Sequence, residues 1–174
     1  MRVREQFDSD QWSMLQFAPF LILSGVSGRY RDFAPEEMVV FQRWLDAATR
    51  APGSLNREVL TSVSVDITAI AARYESYSGT ISSGLTAVGD VLVGQPVPEV
   101  NGFRHALIHV LGVGVARARG PYGQELTTEA SQMLMMLDEF LRPGINFAPD
   151  PVADAAAGHR QALRAPGLRF WAGT

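Results

Sequence analysis

His105 and His109 stand four residues apart in a stretch with helical periodicity, so one turn separates them and both imidazoles leave on the same side. Two such nitrogens are part of a metal site, which carboxylates would have to complete. Glu36, Glu129 and Asp66 are the candidates, and a divalent metal is the one cofactor these residues allow; no other cofactor is expected. The run His105-Ala106-Leu107-Ile108-His109 lacks the Glu that zinc proteases carry between their two His. The plainer account is a polar stripe on an otherwise apolar helix, with Gly112 and Ala116 on the same face suiting close packing, and it is preferred.

Glu36, Glu37 and Glu129 open two helices that correspond to each other, the first preceded by Asp32. Together with loop carbonyls they could hold a hard cation. Their position is equally what the positive end of a helix dipole favours, and that account is preferred. Arg29, Arg31, Arg117 and Arg119 surround the two loops and can grip an anionic partner or pair with Asp32, Glu36, Glu125 and Glu129. Gly112-Val113-Gly114 is not a dinucleotide fingerprint: the third Gly is replaced by Arg117 and the pair lies inside a helix.

These residues sit on a pattern of apolar stripes at spacing i, i+3, i+4. Asp8 or Ser9 can cap a first helix beginning near Asp10, with Gln11 at capping-box distance from Asp8, and its core face holds Trp12, Leu15, Phe20 and Leu23. Pro19 predicts a kink or break in it, and Gly25 and Gly28 end it. A second helix begins at Pro35 and stops at Ala51-Pro52-Gly53. A third, capped by Ser54, reaches about Tyr74, with Asp66 on its polar face. A fourth carries Ile81, Leu85, Val88 and Leu92, with Gly84 and Gly89 off the stripe, either weakening it or admitting a close neighbour. A fifth runs from about Glu99 to Ala118 and is apolar nearly all round, which predicts the central position. A sixth, capped by Thr127 or Thr128, carries the stripe Ala130, Met133, Leu134, Leu137 and Phe140 and ends at Arg142-Pro143-Gly144. No stretch alternates with period two.

The chain of 174 residues is long enough for one domain with a real core. It has no Cys, which removes disulfides and thiol chemistry, and all 15 of its basic residues are Arg, which removes Schiff-base and Walker-type Lys chemistry. A net charge of −3 leaves no footprint for nucleic acid. Acidic residues in the first ten positions argue against a secretory signal, and the longest apolar runs are too short to span a membrane. The expectation is a soluble, cytoplasmic protein.

Gly28-Arg29-Tyr30 through Glu36 returns in altered form as Gly120-Pro121-Tyr122 through Glu129, each flanked by an apolar run and a helical one. This predicts an all-α bundle of five to seven helices, built from two helix–loop–helix units with approximate internal twofold symmetry. Residues 1–142 would form the bundle. Residues 143–174, interrupted by Pro143, Pro149, Pro151 and Pro166, would form a tail with a short helix. The tail ends in Leu168, Phe170 and Trp171, an aromatic cluster that either docks on its own domain or binds a partner.

The repeated turns, Ser27-Gly28 to Glu36 and Arg119-Gly120 to Glu129, resemble those of the TerB-like, tellurite-resistance-associated family, over residues 10–142. That resemblance implies an all-helical domain, an acidic metal-binding surface, and a place in stress-response or membrane-linked complexes. The Asp of the family's turn is replaced here by Ser27 and by Arg119, which argues against the metal. The resulting expectation is a helical interaction or assembly module rather than an enzyme, its partner another protein or a second copy. The alternative is a metal- or small-molecule-binding protein using the His105/His109 face.

Overall fold

The computed structural model describes residues 3–29, 31–120 and 125–144, and all the regular secondary structure within them is helical. After a 3-10 turn at Val3–Gln6 come α1 (Ser9–Ser27), α2 (Pro35–Ala48), α3 (Ser54–Val65), α4 (Ile67–Glu75) and α5 (Ile81–Val91). Helix α6 is one rod in three parts: α-helical Val97–His105, a π-helical stretch Ala106–Gly112, and α-helical Val113–Arg119. Helix α7 (Thr128–Phe140) comes last. Leu168, Phe170 and Trp171 lie outside the described residues, as does the short helix expected in the tail.

The centre of the bundle is α1, not α6. From Leu15 to Gly25 every residue of α1 is buried, and the helix packs against α3, α4, α5, α6 and α7. Helix α6 leaves His105, His109, Arg117 and Arg119 in solvent. Helix α1 also runs through both of its expected stops. Pro19 removes a backbone donor, but Ala18, Phe20 and Leu21 beside it are all 0% exposed, so packing on every side holds the segment helical. Gly25 lies within the helix, and the end comes at Gly28, whose φ of 67° is the left-handed conformation glycine adopts without strain. At the other end, Asp8 and Gln11 form the expected capping box.

The long third helix is two helices. Asp66, at φ −112° and ψ 31°, ends α3 and opens α4. The stretch rich in Ser, Thr and Val has little intrinsic reason to stay helical, and Val65 and Asp66, both exposed, have no packing to hold them. The N-cap of α3 is Gly53 rather than Ser54, and the Leu55 amide is satisfied from outside the helix, donating to Glu99 Oε2 on α6 at 2.8 Å. Asn56, fully buried, donates to the carbonyls of Ala48 and Ala51 at 3.0 Å each, tying the end of α2 to α3.

Glycines decide how closely the helices approach. A Cβ on Gly84 would lie 2.8 Å from Leu21, and one on Gly89 would lie 3.1 Å from the Arg142 carbonyl, so α5 uses its two glycines to approach α1 and the end of α7. The two helix–loop–helix units interlock reciprocally. The helix before the first loop, α1, packs on the helix after the second, α7, while the helix after the first loop, α2, packs on the helix before the second, α6.

Candidate interaction groove

Helix α7 is seated by two leucines on two glycines. A Cβ on Gly25 of α1 would lie 2.8 Å from Leu137 Cδ2, and one on Gly112 of α6 would lie 2.6 Å from Leu134 Cδ2. Leu134 and Leu137 are 4% and 1% exposed. Met133, Met136 and Phe140 sit one turn apart on the flank of this seam, at i, i+3 and i+7, and therefore line up along one side of α7. Facing them are Ile81 and Ser82 at the start of α5 and Ser24 at the end of α1. The space between is a mostly apolar groove of about 480 Å³.

The opposite wall is held in place from the first loop. Thr80 caps α5, accepting from the Ser83 amide at 3.1 Å, and Arg31 donates to the Gly79 carbonyl at 3.0 Å. Beneath the groove the Ser24 hydroxyl is 2.9 Å from that of Tyr74, which stacks on Phe20 and Tyr77. Past Met133 the groove continues as a second recess of about 380 Å³ between α7 and the end of α6, where Glu129 and Arg119 join the lining. A third recess, near Trp44, is bounded by Arg43, Asp46, Ala47 and Arg50, all on α2 or at its end, and is a dent in one helix surface.

A charged clasp closes the end of the groove. Arg119, from the end of α6, donates to Glu37 of α2 and to the Ser27 carbonyl at 3.2 Å; Arg29 stands 3.8 Å from the same carboxylate. Glu37 also accepts from the Ala34 amide at 2.9 Å, which fixes the start of α2. Partial burial pushes the Glu37 carboxyl up, but the Ala34 amide, Arg119 and Arg29 outweigh it and hold it below the ordinary carboxylate value. The sequence puts Arg119 among the loop cations and Glu37 at the helix start, but the pairing partners it suggests are Asp32, Glu36, Glu125 and Glu129. The clasp uses the third helical residue because only there does the carboxylate reach back to the Ala34 amide.

The His105/His109 pair is arranged differently from its sequence-derived face. The rings stack with centroids 5.2 Å apart, and both residues are exposed, whereas Gly112 and Ala116 are buried. The π-helical stretch explains the split: closing its hydrogen bonds one residue later puts an extra residue into the turn and rotates the later part of the helix by roughly 100°. Glu36 and Glu129 are also exposed. The structure does not gather the four into one site; among the described residues, no three His, Asp or Glu side chains form a group that could hold an ion.

The groove residues are only partly legible in the sequence. Met133 and Phe140 fall on the expected stripe of α7, but Met136 does not, and Gly25 reads as a stop. The usable signal is a glycine inside an apolar run, matched by a helix with Met and Phe at i, i+3 and i+7. Comparison with family models, with curated proteins and with solved structures finds no match for the chain. No helix among the described residues is long and apolar enough to cross a membrane.

Proposed function

We propose that this protein is a helical interaction module that receives an apolar or amphipathic segment of a partner protein in the groove between α1, α5 and α7. The observation that carries the reading is the methionine-lined flank of α7. Met136, which lines the groove, is 46% exposed on a helix whose neighbouring leucines are fully packed. Methionine is unbranched and polarizable, and surfaces built from it adapt to apolar partners of different shape. A groove of this size, apolar with polar groups at its rim, suits a few anchor side chains of a docked helix. In the TerB-like resemblance the two turn positions hold Asp; here Arg119 reaches from one turn to the Ser27 carbonyl of the other, so a fixed cation joins them. That favours a docking surface over an ion site.

The test is a displayed library of amphipathic helical peptides selected on the full chain. Selected peptides should shift the Met133 and Met136 methyl resonances and bind at least about tenfold more weakly to Met136→Glu, the equivalent of about 1.4 kcal/mol. Peptides indifferent to Met136→Glu, or none selected at all, would end this reading.

A second reading rests on the stacked His105/His109 pair. Two imidazoles side by side in solvent could hold a transition metal with the remaining ligands supplied from outside the chain. Titration with zinc should then give a binding heat that His105→Ala removes; no heat for the unaltered chain dismisses it.

A further inference from the structure

We propose that the resting chain fills this groove with its own C-terminal segment, seating Leu168, Phe170 and Trp171 against Met133, Met136 and Phe140. The inference rests on the groove being a docking surface for apolar segments, and names its first occupant. The partner segment of the proposed function would then have to displace the tail, which makes docking self-competed.

Position and length carry the argument. The groove is walled by the last helix, and Phe140, one of its lining residues, lies four positions before Gly144, where the described structure ends. Thirty residues remain, 145–174. Leu168 is twenty-four residues past Gly144, and a chain of that length can extend to roughly 80 Å. Helix α7 itself, at thirteen residues, is only about 20 Å long, so every part of the groove is within reach.

Composition points to the same segment. Leu168, Phe170 and Trp171 put three large apolar side chains into four positions, the densest such cluster after Gly144. Aromatic anchors of this kind carry most of the energy at docking surfaces. Arg169 lies among them, and the adjoining recess carries the exposed carboxylate of Glu129. Tethering favours the tail over a second copy, because a segment on the same chain meets the groove as an intramolecular event.

The experiment compares the full chain with a full-length triple variant, Leu168→Ala/Phe170→Ala/Trp171→Ala. Methionine methyl spectra are read first; the chain has six Met, assigned by single Met→Leu changes. The expected result is a shift of the Met133 and Met136 methyls in the triple variant, with Met14 and Met38 unmoved and no dependence on protein concentration. The selected helical peptide should also bind the triple variant several-fold more tightly, since removing an internal competitor raises the open fraction. Unchanged Met133 and Met136 methyls, with peptide affinity also unchanged, overturn tail docking while the groove's role in binding partners stands. Methyl shifts that disappear on dilution overturn it in favour of a second copy. Methyl shifts without any peptide binding would support the tail's docking and remove the partner reading instead.

Discussion

Two seams between helices meet glycine in different ways. Between α2 and α6, the Trp44 ring lies across Gly114 so closely that a Cβ there would fall 2.1 Å from it. Between α1 and α7, Leu137 fills the space over Gly25, and beside it Met136 lines the groove half exposed while Met133 is partly buried against the core. The first seam is a rigid ring in a slot of fixed shape. The second is a packed line of leucines bordered by side chains that are only partly covered. The difference teaches that one helix, α7, can serve stability with one row of residues and binding with the next.

The comparison is broken most forcefully at Leu137. It is 1% exposed, and Leu137→Ala should cost about 2–5 kcal/mol, measured by urea unfolding. A loss below about 1 kcal/mol would mean that α7 is not seated by this row. Next comes Gly114→Ala, which must displace Trp44 and should cost about 1–3 kcal/mol. In a Trp44→Ala background the same change should cost much less, and equal costs in both backgrounds would show that ring and glycine are not coupled.

The clasp between the loops has a smaller effect with a definite sign in pH. Because the folded Glu37 carboxyl is held below its ordinary value of 4.5, the unfolded chain binds the proton more readily, and stability from this group rises with pH. It is fully present above about pH 4.5 and lost as pH falls through the lower folded value. Glu37 is 16% exposed, but Arg119 and Arg29 are 38% and 55% exposed, so solvent screening leaves about 1 kcal/mol or less. Glu37→Gln should therefore be less stable than the unaltered chain at about pH 7 and close to it at about pH 3. A gap that persists in acid would assign the effect to the Ala34 cap instead of the charges.

The smallest expected stability change is at Met136, directly beside Leu137. Met136→Ala should alter unfolding by less than about 0.5 kcal/mol, as surface changes usually do, while weakening peptide binding. A large stability loss there would move Met136 from the binding row to the packing row and erase the contrast.

Much of the fold is legible because it depends on local chemistry. The capping box at Asp8, Pro35 in the first turn of α2, and the Thr127 cap of α7 each depend on residues within four positions of one another. The apolar stripes then require a helical bundle. Three things are not legible, each because the deciding partner is distant in sequence or absent from it. Pro19 and Gly25 stay helical only because other helices enclose α1. The pair at His105 and His109 parts from Gly112 because α6 takes π geometry, a shift no residue type announces. Glu37, rather than Glu36, becomes the hub because Arg119, 82 positions away, meets it there. The sequence by itself determined where most helices start, which stripes they bury and which chemistry is missing, since propensity, capping and composition act over one turn. Only the tertiary structure decided which glycine became a seat and which methionine was left in the open, since that depends on how closely two helices pack.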